Sequence, residues 1–347
     1  MKVSLSPFKL KLSSPIVSAH ETISVREGFR LDVADEEGAG KGEATPLPHF
    51  GTESLEQASA ALRAWRGPGS LDSLEAIAAA TAVLHQTPAA RHGLELALLD
   101  RLAKLRHLPL ARLLSPTARR EVKCAALIDG EDAAALANSA KRAVAAGFEV
   151  LKIKVAARLL SVDAQRLLAV RRAVGHKVAL RIDANGGWSE SAARTALRGM
   201  ESLSLELCEQ PVAAADVGGL GRIRRMVPCQ LAADETLLSP ERVETFFNPD
   251  RPPAADVVVL KPMALGGLLS ALALAHRAHQ AGVGAYVTTL LDGPIARAAA
   301  AHLAAAIPQS DWASGLGTVE LFEGWVEDPF TPVRGRIRIP ASDGLGL

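Results

Sequence analysis

The chain has 347 residues, 48% of them hydrophobic, which is enough for two domains, or for one large barrel with additions, around a sizeable core. With 39 basic and 38 acidic side chains spread along the sequence, its formal net charge is +1, so it carries no electrostatic footprint for nucleic acid or an anionic membrane. No run reaches membrane-spanning length, MKVSLSPFKLKLSSP lacks the apolar core of a signal peptide, and Cys124, Cys208 and Cys229 lie unpaired in apolar runs. A reducing, cytoplasmic setting and a small-molecule partner are expected, and oligomeric state is unreadable.

From Met1 to about Pro116 the pattern is α+β. Alternation at Lys2 to Leu12 and Glu27 to Ala34 predicts antiparallel strands joined by the loop SSPIVSAHET, and GKGEATPLP predicts a third. SLEQASAALRAW, LDSLEAIAAATAVLH and RHGLELALLDRLAKLR then show helical spacing.

From Val122 onward strands and helices alternate. VKCAALI, VLKIKV, VALRID, LELCEQ, QLAADE, DVVVLK, GAYVTTLL and WASGLG make eight strand candidates with alanine- and leucine-rich helices between most of them, the last helix being short or absent. The expectation is an α+β capping domain over 1–118, a parallel barrel over 119–323, and a tail over 324–347 that returns to pack on the N-terminal sheet.

Charged residues punctuate five of these strands. Lys154, Asp183, Glu209, Asp234 and Lys261 recur at intervals of 29, 26, 25 and 27 residues, the length of one strand, one helix and two connections. Active sites of parallel barrels lie at the C-terminal ends of the strands, so these side chains would converge. Residues two apart in a strand share a face, so Lys152 and Lys154 both point inward while Leu151, Ile153 and Val155 face helices. Burial, mutual repulsion and a nearby divalent cation would each lower a lysine's pKa and leave a neutral general base.

Asp183, Glu209 and Asp234 offer three hard oxygen ligands with no histidine or cysteine among them, a set suited to Mg2+ rather than zinc. Lys261 would stand across the substrate from the lysine pair. The chemistry expected is removal of a proton next to a carboxylate, with the metal stabilising the enediolate. Each residue also has a structural reading. A lysine pair two apart is ordinarily a solvated strand face, Asp183 can cap a turn with Asn185 and Gly186, and Glu209 can end a surface strand. Parity leaves open whether Asp234 or Glu235 faces inward. Joint occurrence on five successive strands favours the site.

LKIKV, IDANGGW, CEQP, ADET and VVLKPMALGG resemble the corresponding blocks of the enolase superfamily in its muconate cycloisomerase-like subgroup, and with flanking strands the resemblance covers about residues 120–318. It implies a modified TIM barrel, (β/α)7β, with an α+β cap. It also implies Mg2+ on Asp183, Glu209 and Asp234, the last chosen over Glu235. Lys154 and Lys261 would lie on opposite faces of a carboxylate substrate, with Lys152 assisting electrostatically.

GKGEATPLPHFGTESLEQA and VREGFRL resemble the cap of o-succinylbenzoate synthases, which implies a carbon–oxygen lyase of menaquinone biosynthesis. In that reaction Lys154 takes a proton and returns it to the departing hydroxide in a syn dehydration, and Lys261 stays protonated. Dipeptide epimerases, which use both lysines as bases, typically carry two aspartates on the final strand. Gly315 and Gly317 stand there in SGLGTVE, and Gly317 also replaces the usual acid of the GLDT-type stretch of o-succinylbenzoate synthases. N-acylamino acid racemisation is a further alternative. A metal-free Schiff-base lyase or a non-catalytic binding barrel would leave the three acids unexplained.

Asn185, Thr288, Thr289 and Gly315 are candidate substrate contacts, and Asp292 reads as part of a turn with Gly293 and Pro294. His20, in a loop over the site, reads as solvated, and His279 and His302 as helix surface or packing residues.

Overall fold

A computed structural model describes residues 1–18, 21–67, 71–308 and 310–347. Strands β1 (Lys2–Val17), β2 (Thr22–Ala34) and β3 (Ala39–Ala44) form an antiparallel sheet in that order. The segment expected as a loop is mostly strand, since β1 runs on to Val17 and β2 begins at Thr22. A register shift between Lys11 and Ile16 absorbs Ser13, Ser14 and Pro15, and β1 lies at the sheet edge, where a proline need not break a ladder. His20 lies outside the described residues.

Helices α1 (Leu55–Ala64), α2 (Leu74–Thr81), α3 (Pro88–Leu105) and α4 (Leu110–Leu114) follow. The acidic start of α1 is a capping box, with Ser54 and Gln57 each bonding the other's backbone N–H. Helix α3 packs directly on β3. A Cβ at Gly42 would fall 2.0 Å from the Gly93 carbonyl oxygen, which explains glycine there.

The barrel alternates strands and helices: β4 (Glu121–Ile128), α5 (Ala133–Ala145), β5 (Val150–Lys154), α6 (Leu160–Val174), β6 (Ala179–Asp183) and α7 (Glu190–Gly199) come first. Then come β7 (Leu205–Glu209), α8 (Val217–Arg224), β8 (Gln230–Ala233), α9 (Pro240–Phe246), β9 (Val257–Leu260), α10 (Leu268–Gln280), β10 (Gly284–Val287), α11 (Pro294–Ala306) and β11 (Ser314–Gly317). All eight strand candidates form. The order β10-β9-β8-β7-β6-β5-β4-β11 is parallel throughout, and a bridge between Thr288 and Gly315 brings the two edges together. This is the modified (β/α)7β barrel, with only a short 3₁₀ turn at Val319–Leu321 after β11. Leu151, Ile153 and Val155 are fully buried, as their outward parity requires.

The tail departs from expectation. Its strand β12 (Arg336–Arg338) pairs antiparallel with β4 of the barrel and not with the N-terminal sheet. Only its last residues reach the N-terminal region, where Leu345 N donates to Asp100 Oδ1 of α3 at 2.7 Å. The N-terminal sheet instead meets the barrel through buried carboxylates. Glu43 of β3 accepts from Gly293 N at 2.6 Å and Ile295 N at 3.2 Å at the start of α11. Glu95 of α3 accepts from Leu269 N at 3.0 Å at the start of α10. Both satisfy N-terminal donors, and burial raises both carboxyls, that of Glu95 to about 7. They fix the cap over the strand ends. Among the described residues, no helix is long and apolar enough to cross a membrane.

Candidate active site

A cavity opens where the cap covers the C-terminal ends of the barrel strands. Parallel pairing places Lys154 beside Asp183, and Asp183 beside Glu209, so adjacent strands deliver their terminal charges side by side. Lys152 Nζ lies 2.6 Å from Glu209 Oε1 and 2.9 Å from Asp183 Oδ2. Lys154 Nζ donates to Asn185 Oδ1 at 2.6 Å and lies 3.4 Å from Asp183 Oδ2. Lys261 bonds Asp234 Oδ2 and stands 4.0 Å from Glu209 Oε1. Its Nζ also sits 3.9 Å from the centre of the Phe50 ring, which the cap lowers onto it. From β5 to β9 is four steps around eight strands, so Lys154 and Lys261 face each other across the barrel.

Asp183, Glu209 and Asp234 are almost wholly buried. The CEQP turn supports Asp234, because the Gln210 side-chain oxygen accepts from Asp234 N at 2.9 Å and from Thr236 N at 3.2 Å. Asp183 both enters the charge cluster and caps the turn, accepting from Asn185 N at 3.0 Å. Asn185 holds positive φ, which asparagine tolerates, and its amide also reaches Glu235 Oε1 at 3.0 Å. Both Asp234 and Glu235 therefore lie at the site.

The lysines stand among carboxylates as well as beside one another. Burial alone pushes the Lys152 ammonium toward neutrality, but Asp183, Glu209 and Asp234 outweigh it and hold its pKa above the ordinary value. Lys261 is likewise raised, because Asp234 and Glu209 overcome its burial. Burial raises Asp183 as well, yet Lys152, Lys154 and Lys261 together carry it below the usual carboxylate range. For Asp234 burial prevails over Lys261 and the carboxyl is held well above it. For Lys152 and Lys261 the carboxylates are the larger influence after burial.

Among the described residues, no three His, Cys, Asp or Glu side chains are gathered round one point in a metal-ligating arrangement. The ammonium groups of Lys152 and Lys261 stand among the carboxylates. The donor set nonetheless fits a hard divalent cation: all its ligand atoms are carboxylate oxygens on adjacent strands, and Asp234 Oδ1 is buried without a hydrogen-bond partner.

The other side of the cavity is neutral but for Glu21. Ile16, Ile23, Leu47 and Phe50 from the cap, with Leu290 and Leu291 from the barrel, make it apolar, and Glu21 stands in the cap wall. Of the expected substrate contacts, Thr288 is taken up by the barrel seam, donating to the Gly315 carbonyl at 3.0 Å. Thr289 Oγ1 is buried with no partner, and so is Thr318 Oγ1, a cavity-lining hydroxyl not singled out from the sequence. A Cβ at Gly315 would fall 2.5 Å from Thr288 Oγ1, and one at Gly317 would fall 2.9 Å from the Ala125 carbonyl oxygen. Asp292 is buried in its turn, accepting from Leu290 N at 3.2 Å. His302 packs internally, accepting from Ala111 N through Nδ1 and donating to the Leu345 carbonyl through Nε2, each at 3.0 Å. His279 is exposed.

Two partners of the charged ring escaped the sequence. The Tyr286 hydroxyl donates to Glu209 Oε2 at 2.5 Å, and Arg181 stacks against the Tyr286 ring at 4.8 Å. Both positions follow from inward parity, since Arg181 lies two residues before Asp183 and Tyr286 two before Thr288.

Comparison with known proteins agrees with this geometry. Residues 135–347 match the family model described as Enolase C-terminal domain-like, and residues 1–101 match that of the MenC N-terminal domain. Muconate cycloisomerase 1-1 of Acinetobacter lwoffii is 30% identical over 89% of this chain and 82% of its own. The chain belongs to the enolase superfamily. Within the superfamily its relatives divide. The o-succinylbenzoate synthase of Thermobifida fusca is 36% identical, over 59% of this chain and 63% of its own length. A dipeptide epimerase from Methylococcus capsulatus, solved with Mg and the dipeptide L-Arg-D-Lys, superposes with a TM-score of 0.90 at 28% identity, covering 99% of this chain and 98% of that one.

Proposed function

We propose that the chain is an o-succinylbenzoate synthase-like lyase: it removes a proton next to the carboxylate of a hydroxycyclohexadiene carboxylate, then expels water on the same face to give the aromatic product. The observation that carries this reading is the final strand, β11, where glycines stand at 315 and 317. A Cβ at Gly315 or Gly317 would fall within 3.0 Å of a neighbouring atom, so no acid stands at either position, and the unpartnered hydroxyls of Thr289 and Thr318 can donate to substrate oxygens. The matched MenC cap and the Thermobifida relative support the same substrate. A place in menaquinone biosynthesis follows from that product.

Lys154, acting as the base through Nζ, takes the proton from carbon. The carbon–oxygen bond to the hydroxyl then breaks, the same Nζ returns the proton to the departing hydroxide, and water leaves. Lys261, held by Asp234 and over the Phe50 ring, remains an ammonium on the other face. Lys152 neutralises Asp183 and Glu209. Asp183, Glu209 and Asp234 would hold Mg2+, which when bound supplies the positive charge that stabilises an enediolate. Asn185 holds the Lys154 amine in place.

Incubation with the hydroxycyclohexadiene precursor should yield the aromatic absorbance, and chelation should remove that activity. Full turnover after chelation would sink the metal-assisted reading, and borohydride trapping of a substrate adduct would point to a Schiff-base lyase. Epimerisation of dipeptides or racemisation of N-acylamino acids is the second reading. It is favoured by the opposed Lys154 and Lys261 and by the whole-chain likeness to the Methylococcus epimerase. Deuterium exchange into Ala-Glu without aromatic product would select it. Inactivity toward every substrate class would leave a binding barrel.

A further inference from the structure

Glu209 ends β7 with both carboxylate oxygens engaged. Lys152 Nζ donates to Oε1 at 2.6 Å and the Tyr286 hydroxyl to Oε2 at 2.5 Å. Tyr286 stands on β10, three strands away in the barrel order, so its phenol spans the interior to reach the glutamate. The ring is buried among barrel side chains. Leu207, Ala232, Val257 and Val259 pack around it, and the Arg181 guanidinium lies between it and the Trp312 ring, 4.8 Å and 5.4 Å from the two centres. Arg181 is itself anchored by Glu206 and, at 2.6 Å, by the Ala313 carbonyl. A glutamate has three rotatable side-chain bonds, and a single lysine would leave its second oxygen free to swing. A ring that cannot move removes that freedom.

We propose that Tyr286 is a positioning residue that fixes the Glu209 carboxylate in the orientation needed to bind a divalent cation. The proposal rests on the ligand set of the previous subsection and adds a residue to it. Groups that bond the ligands of a metal site typically change affinity 10–100-fold when removed. Tyr286 borders the cavity, and the role proposed for it acts through the Glu209 carboxylate.

The chain contains one tyrosine, so a protein labelled with 13C at the phenolic ring carbon gives one tyrosine resonance. That resonance should move when Mg2+ is added and should also move in Glu209→Gln, where the acceptor loses its charge. Titration calorimetry of Mg2+ into Tyr286→Phe, which keeps the ring and its packing, should show binding weakened about tenfold or more. A resonance unmoved by saturating Mg2+, or a folded Tyr286→Phe protein that binds Mg2+ within twofold of wild type, overturns the proposal while the metal site stands. Wild-type protein that binds no Mg2+ overturns both. The labelled wild type needs no substitution, so a variant that fails to fold leaves the resonance to decide.

Discussion

The two halves of the cavity mouth are built on opposite principles. Strands β5, β6 and β7 end in Lys154, Asp183 and Glu209, and Asp234 and Lys261 directly follow β8 and β9, each in contact with a charged partner. The neutral half, formed by β10, β11 and the cap, offers glycines, hydroxyls and aliphatic walls. In the first half every side chain is held by several others, so a change in one disturbs all. In the second, Thr289 and Thr318 have no protein partner, and substrates can differ there without disturbing the reacting groups. A superfamily with shared chemistry and divergent substrates follows from that division.

The comparison can be broken most severely at Lys154. Lys154→Ala should lower kcat on the order of 10⁴-fold, whichever substrate is correct, with the fold intact by circular dichroism. Turnover near wild type would remove Lys154 from the chemistry. Gly315→Asp moves a charge into the neutral half and forces Thr288 aside. It should lower kcat/KM for the cyclohexadiene substrate roughly 100-fold, about 2.7 kcal/mol. An unchanged kcat/KM would show that the neutral half does not select the substrate. Thr289→Val deletes one unpartnered hydroxyl while keeping its shape, so it should raise KM roughly tenfold, with kcat little changed. Equal losses in both constants would place Thr289 with the reacting groups.

The smallest effect concerns Asp292, buried beside Arg26 at the end of the neutral half. Burial pushes its carboxyl up to about 7, despite Arg26. A folded-state pKa above the unfolded one means that the folded protein holds a proton that the unfolded chain has lost. Stability from this group is therefore fully present below about pH 4 and falls as pH rises to about 7. His92 and His302, which burial lowers to about 4, act in the opposite sense and remove stability as pH falls from about 6.5 to about 4. In Asp292→Asn the falling contribution disappears. Relative to wild type, the variant should gain on the order of 1 kcal/mol between pH 6 and pH 7 in urea unfolding. A parallel pH dependence in both proteins would show that Asp292 is charged throughout.

The charged half was legible in the sequence because strand period and βα spacing both act locally. Lys152 and Lys154 share a face by parity, and the acids recur once per repeat. The eight strands were legible for the same reason. What eluded the sequence was formed by contacts between distant segments. Glu43 is 250 residues from the Gly293 it caps, and Tyr286 is 77 from Glu209. Nothing in GKGEA or GAYVTT says that a partner waits there. Spacing showed the lysine pair plainly but not the distances from Lys152 to Asp183 and Glu209.

The carboxylates of Glu43 and Glu95 also limit how the chain can be recombined. Each fits a helix start where glycine leaves room: a Cβ at Gly267 would fall 2.3 Å from Glu95 Oε1, and one at Gly293 would fall 2.6 Å from Glu43 Oε2. The acid and its glycine are one joint made from two segments. A chimera that grafts a relative's cap onto this barrel must import matching acids, or two helix ends beside the cavity lose their caps in a dry interface. Exchange of substrate preference between relatives is therefore easier by substitution within the cavity than by transplanting whole caps.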